Sequence, residues 1–404
     1  MKWRTRMLAL VMATLLPLSF TACNRNKDDG EVGEKDVVEL KVWGAQEDQE
    51  MLKKMVEEFK KENNTDVEYK ITFGVVGEKD TQTKILEDPD AAADVFAFPD
   101  DQLRDLVNAG ALYEITLEKD KIEAENIEGA VQSAKIDGKL YAYPMTADNG
   151  YFLYYDKRIL SEEDVKTLDG LMNAAAAKNK KVLMDASNGW YLASFFLGAG
   201  GKVGIQNGKQ TCDFNNEKGV KVGEAIKSFC AHPAFITGED AVLTGGIGDT
   251  IAAGVSGTWN ADAIKAKLGD GYAAVKLPTF TLDGEQVQMK SFAGYKLMGV
   301  NSGTKHPKEA MKLARFLTNE KNQLIRFETR AMGPSNKEAA KNEKVKANVA
   351  LAALAMQNEY GVSQANVLNS FWKPLEAFGT AMETKDYSKS VKEYLDTMVS
   401  QMAA

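Results

Sequence analysis

The run Val37-Val-Glu-Leu-Lys-Val-Trp43 alternates apolar and polar residues and stops at Gly44, the period-two pattern of a half-buried strand. From about Glu47 to Lys61 the period changes. Met51, Leu52, Met55, Val56 and Phe59 share one face and Lys and Glu the other, which predicts an amphipathic helix. Asp66 to Phe73 reads as a second strand. The acidic turn Glu87-Asp-Pro-Asp90 leads into a third, Ala93-Asp-Val-Phe-Ala-Phe98. Pro99-Asp100-Asp101 opens the next helix, with its acids at the positive end of the helix dipole. Strand, helix, strand, strand, helix at this spacing predicts a mostly parallel α/β sheet.

The chain extends for 404 residues, 44% hydrophobic and 27% charged. That is globular composition and more chain than one core holds, so two lobes are expected. Gly138-Lys-Leu-Tyr-Ala-Tyr-Pro144 is a strand aimed at Met145–Asn149, and Tyr151–Tyr155 is another. A second α/β lobe follows, with helices from Ser161 to Lys178, Trp190 to Leu197 and Asn216 to Cys230, and a strand from Lys181 to Met184. Ser291–Val300 reads as a strand returning to the first lobe, where helices Pro307–Leu317 and Asn319–Phe327 follow. From about Lys337 the pattern is helical throughout, broken at Pro374. The expected division is residues 37–147 with 292–333, and 148–291 with 334–404.

The N-terminus carries Lys2, Arg4 and Arg6 before an apolar run from Met7 to Leu16, with the small pair Thr21-Ala22 just ahead of Cys23. The run is short for a bilayer span, so residues 1–22 are expected to be a signal peptide. Ending on cysteine, the segment resembles a bacterial lipoprotein signal, which implies lipidation (a palmitate-type anchor) at Cys23 and an extracytoplasmic, membrane-tethered protein. The polar stretch from 23 to 36 would be its flexible tether. Net charge is −8, and the basic residues lost with the signal leave the remainder more acidic, a surface that repels nucleic acid. Cys212 and Cys230 either pair after export or remain two buried thiols.

The stretch Gly254-Val-Ser-Gly-Thr-Trp-Asn260 ends an apolar strand in a tight turn and opens a helix. It sets Trp259 at the carboxyl end of the strand, where open α/β sheets place binding residues. Trp259 by itself suits a core better than a binding face, since Trp is highly buried on average. Trp43, Trp190 and Trp372 have similar settings, each where a predicted element begins or ends, and Tyr191 and Phe371 accompany two of them. Flat aromatic faces suit the C–H faces of sugars, and acids and amides suit the hydroxyls. Glu47, Asp48, Asp100, Asp148 and Asp185 all lie just past strand-like runs, with Asn149 and Asn188 nearby. Each acid taken singly also suits a helix cap or turn.

Other chemistries find little material. His232 and His306 are the only histidines, so a His-based metal or nucleophile site is not expected. Gly198-Ala-Gly-Gly-Lys202 lacks the Ser/Thr of a phosphate loop, since Val203 follows the lysine. No motif for a cofactor stands out, and none singles out a glycosidase carboxylate pair.

Leu40-Lys-Val-Trp-Gly44, Ala93-Asp-Val-Phe96, Gly110-Ala-Leu-Tyr-Glu-Ile115, Gly138–Pro144, Ser256-Gly-Thr-Trp259, Leu277-Pro-Thr-Phe280 and Phe371-Trp372 occur in this order and spacing. Together they resemble the maltose-binding branch of the solute-binding lipoproteins of sugar ABC transporters, from about residue 38 to the C-terminus. The resemblance implies a two-lobed, periplasmic-binding-protein-like α/β fold with a multi-strand hinge. It implies a monomer that closes on an oligosaccharide and passes it to the transporter's permease subunits, without catalysis. The implied stacking residues are Trp190, Trp259 and Trp372, with acids Glu47, Asp100 and Asp148; the residue readings add Tyr191, Asp48, Asn188, Phe98 and Trp43. The family's third-strand Trp reads Ala97 with Phe98 adjacent, its Asp-Arg pair reads Asp100-Asp101, and the Arg beyond the last Trp reads Glu376. A secreted glycosidase and a receptor for a polyamine or peptide are the alternatives.

Overall fold

The computed structural model describes residues 36–63 and 67–403. The expected signal peptide (1–22), the lipidation site Cys23, the tether up to residue 35 and Asp66 lie outside the described residues.

The chain first lays down β1 (Asp36–Gly44), β2 (Val67–Val75), β3 (Val95–Pro99) and β4 (Ala142–Gly150). It then builds β5 (Phe152–Asp156), β6 (Lys181–Leu183), β7 (Phe235–Ile236), β8 (Ile251–Ser256) and β9 (Tyr272–Val275), and closes with β10 (Phe292–Val300) and β11 (Val362–Ser363). One sheet runs β11-β10-β3-β1-β2, with β4 also paired to β10; a second runs β7-β6-β8-β5-β9. Two lobes follow from these two sheets, and β4 and β10 carry the chain between them.

The alternation read in the first strand is the burial observed. Val38, Leu40 and Val42 point into the core of the first lobe. The following helix, α1 (Gln49–Asn63), buries Met51, Leu52, Met55, Val56 and Phe59, the face its periodicity defines. The first sheet is mixed rather than mostly parallel. β1 lies parallel to β2 and β3, but β10 is antiparallel to both β3 and β4. The physical reason is the crossing: β4 leaves the first lobe and β10 returns to it, so the two must run in opposite directions.

Along the second lobe come α2 (Leu168–Ala177), α3 (Gly189–Gly198), α4 (Glu217–Ala231) and α5 (Ala261–Leu268). Then α6 (Pro307–Leu317) and α7 (Glu320–Arg330) follow β10, and α8 (Val349–Asn358), α9 (Trp372–Glu383) and α10 (Val391–Met402) end the chain. The helix expected from Ser161 begins instead at Leu168. Asp164 accepts from the Ser161 amide and hydroxyl at 2.8 and 2.7 Å, a local turn that competes with helix. Thr167 then caps α2 through the Gly170 amide. The C-terminal segment is not helical throughout: residues 359–371 leave the helix, and Val362–Ser363 pair in parallel with β10. Pro374 does not break a helix. It is the third residue of α9, where the backbone N–H it lacks has no intrahelical partner in any case. Cys212 and Cys230 are free thiols, and burial pushes both up to about 12.

Candidate functional site

β8 ends at Ser256, and the chain turns at Gly257 into Thr258-Trp259-Asn260. The indole of Trp259 folds back over this turn so closely that a Cβ on residue 257 would come within 1.9 Å of the ring. Glycine is therefore what lets Trp259 lie flat. Its Nε1 donates to Asp240 at 2.8 Å; the other oxygen of Asp240 accepts from Ser256, whose hydroxyl in turn accepts from Asn260. The ring is half-buried, so it packs on the second-lobe core from its edge.

Trp190 stands beside it, 6.0 Å between ring centroids with the planes inclined 36°. It rises from the first turn of α3. That helix starts here because Asn188 accepts from the Trp190 amide at 3.0 Å as an N-cap. Tyr151 backs the ring edge-on at 4.5 Å and donates to the Trp190 carbonyl at 2.6 Å. Tyr191 lies behind, buried, 5.5 Å from Trp190 and 5.0 Å from Tyr151. Trp372 opens α9, held edge-on between Phe371 and Phe292 at 5.1 and 5.6 Å. All three Trp are half-buried, with part of each indole left to meet a ligand.

Two acids meet them from the first lobe, and a third lies where the lobes join. Asp100 and Asp101 begin the 3-10 turn after β3. Burial pushes Asp100 up to about 8, helped by its neighbour Asp101 and opposed by the Tyr295 amide and the Gln364 side chain. Burial likewise takes Asp101 up to about 7, with the Asp105 charge adding and a hydrogen bond from the Trp372 side chain opposing. The like charge of Asp101 disfavours ionisation of Asp100, so the titration of Asp100 depends on the state of its neighbour. Asp148, on β4, is buried. Its Oδ2 accepts from the Thr258 hydroxyl at 2.8 Å and the Gly333 amide at 2.7 Å, so this one carboxylate ties β4 to the turn that carries Trp259. Its Oδ1 is buried with no hydrogen-bond partner among the described residues.

A second charged group surrounds Asp48, which is buried after β1 and accepts from Arg330 at 3.1 Å. Exposed Glu47 lies 3.7 Å from the same guanidinium. Burial raises Asp48, with Arg326 the strongest opposing charge. Lys296, in the middle of β10, is buried and pairs with Glu78 at 2.7 Å, and its ammonium lies 5.9 Å from the Trp259 ring centroid. Burial works against its charge, but Glu78 leads the acids that hold it above the usual lysine range. Arg326 is buried too, with Nε and Nη2 lacking a hydrogen-bond partner among the described residues.

The structure thus brings Trp190, Trp259, Tyr191, Asn188 and Asp148 together, and sets Trp372 against Asp101. Trp43 and Phe98 lie buried in the first-lobe core, each packed on Phe96. Asp185 accepts from Ser187 within its turn. Lys296 and Gln364 escape the sequence reading. A lysine within the apolar strand Phe292–Val300 was a usable signal; Gln364 follows a two-residue strand too short to leave a pattern. A separate cavity of about 290 Å³ lies between α2 and α4, lined by Met172, Phe195, Phe229, His232 and Phe280, away from all of these groups.

Two α/β lobes joined by crossing strands, with aromatic faces on one side and acids on the other, define a two-lobed binding protein. The chain belongs to the bacterial extracellular solute-binding protein family, whose model matches residues 54–353. It is 27% identical to the galactooligosaccharide-binding protein of Bacillus subtilis (strain 168), over 100% of this chain and 99% of that one. A solved chain with acarbose is 31% identical with a TM-score of 0.81, covering 92% of this chain and 99% of that chain. The maltodextrin binding protein MalE1 from L. casei BL23, without ligand, is 28% identical with a TM-score of 0.76, covering 91% and 99%.

Proposed function

We propose that this protein is the extracellular receptor of a carbohydrate ABC transporter, binding a malto-oligosaccharide or a related oligosaccharide between its lobes. The observation that carries the reading is the set of three half-buried indoles, Trp190, Trp259 and Trp372, presented from α3, the turn after β8 and the start of α9. Sugar rings stack on them, and Asp48, Asp100, Asp148 and the rim acid Glu47 take hydroxyls. Tyr191 and Asn188 shape the platform from behind, and Phe98 and Trp43 stiffen the opposing wall. The relatives' ligands, a galactooligosaccharide, acarbose and maltodextrin, are all of this class.

The lobes, residues 37–147 with 292–333 and 148–291 with 334–404, close by a hinge motion that completes the site. Closure selected by ligand gives the permease a state to recognise, and a lipid on Cys23 keeps the receptor at the membrane. The glycan is bound and released without cleavage. A polyamine is disfavoured because the Lys296 ammonium already lies over the Trp259 ring.

Titration calorimetry against maltotriose, longer α-glucans and galacto-oligosaccharides tests this reading. Saturable heat without chain shortening of the recovered glycan is expected. No heat and no thermal shift with any member of the panel would sink it.

A further inference from the structure

Gln364 touches both halves of the site. Its Oε1 accepts from the Trp190 indole at 3.0 Å, while its Nε2 donates to Asp100 at 2.6 Å and to Asp101 at 3.2 Å. Its side chain is almost fully enclosed, at 1% exposure, so no water competes for these bonds. The residue sits directly after β11, which pairs with β10, the strand that crosses between the lobes. Space for it is made by Gly294 on that strand. A Cβ there would come within 2.5 Å of both the Asp100 carboxylate and the Gln364 amide nitrogen.

We propose that Gln364 is a positioning residue of the sugar site, setting the Trp190 platform and the Asp100–Asp101 pair in register with one another. The proposal rests on the oligosaccharide reading above. Among natural side chains of this length only a carboxamide serves both sides without first taking up a proton: the indole N–H needs an acceptor, and the acid oxygens need a donor. The three bonds fix the indole's rotation and aim the acids from one planar group. An ordering of both walls before ligand arrives lowers the cost of binding. A buried amide that merely satisfies its neighbours would show the same contacts, and pH separates the two roles. The titratable groups facing Gln364 are Asp100 and Asp101, with Asp105 acting on Asp101 and Tyr295 beside Asp100. Lys296, next along β10, is engaged by Glu78. The strand Val203–Gln206 that packs on this turn brings none.

The test uses the full chain and the tightest-binding glycan among maltotriose, maltotetraose and a galacto-oligosaccharide. Gln364→Met keeps the volume and loses all three bonds, and is expected to weaken binding roughly ten-fold at every pH, with Tm within a few degrees of the wild type. Gln364→Glu keeps the acceptor for Trp190 but sets a third carboxyl against Asp100 and Asp101. Its affinity is expected to fall roughly ten-fold or more at pH 8 and to recover most of the loss at pH 5.5, where a proton restores the donor. Wild-type affinity in both variants overturns the proposal. So does a loss that tracks Tm and is the same at both pH values, since that marks a purely structural amide. If the wild type binds no glycan, the oligosaccharide reading itself has failed and this inference with it.

Discussion

Replacing Trp259 by alanine separates a binding platform from a core residue. An indole buries about 150–250 Å² when fully covered; half-buried Trp259 leaves about one ring face, roughly 70 Å². At about 25 cal/mol per Å², covering that face is worth roughly 1.7 kcal/mol, and covering the matching sugar face about as much again. Part of that gain offsets the ordering of the ligand, so a net loss of about 1.5–3 kcal/mol is expected. This corresponds to an affinity drop of roughly 10- to 150-fold. The fold loses less. Trp259 gives up an exposed hydrogen bond to Asp240 and an edge contact with Trp190, which should lower Tm by no more than about 8 °C. Calorimetry with the best glycan, paired with a melt of the ligand-free protein, reads both quantities. Unchanged affinity, or a protein already unfolded at 25 °C, would refute the platform argument.

Stability should fall as pH rises from about 4 to 8. Asp100 and Asp101 hold protons in the folded chain up to about 8 and about 7 against 3.8 as their ordinary value. Over that window the folded state binds the more protons, so raising pH favours unfolding. Asp100→Asn should flatten this slope, as followed by Tm across the range; an unchanged slope would mean that the pair is already ionised at low pH. Asp148→Ala strands the Thr258 hydroxyl and the Gly333 amide in a buried place and should cost about 2–4 kcal/mol in chemical denaturation, whereas Asp148→Asn, which keeps an acceptor, should cost distinctly less. Gly257→Ala forces the Trp259 ring off its turn. It should weaken glycan binding about as much as removal of the indole does, and shift the Trp emission; normal affinity would show that the ring's seat is unimportant.

The first lobe was legible because its strands and helix are half-buried: β1 and α1 each expose one face to water, so polarity alternates with the right period. The topology was less so. The antiparallel entry of β10 depends on where a strand formed some 140 residues after β4 comes to lie, and no local pattern encodes that. The misread helix start at Ser161 turns on a local Ser161–Asp164 turn and the Thr167 cap, and the role of Pro374 on its place in the first turn of a helix. At the site, the Trp positions and the acids could be read because their residue types are conspicuous at strand ends. Gln364 could not, since its importance lies in three long-range bonds from an unremarkable Val-Ser-Gln-Ala sequence. Lys296 shows the intermediate case, a charge that an apolar strand tolerates only because Glu78 meets it.

The most direct test of the sugar platform is a crystal structure of the complex with the tightest-binding glycan. The account predicts sugar rings stacked on Trp190, Trp259 and Trp372, with hydroxyls on Asp48, Asp100 or Asp148. A glycan bound elsewhere, for instance in the cavity between α2 and α4, with those three indoles untouched, would contradict it.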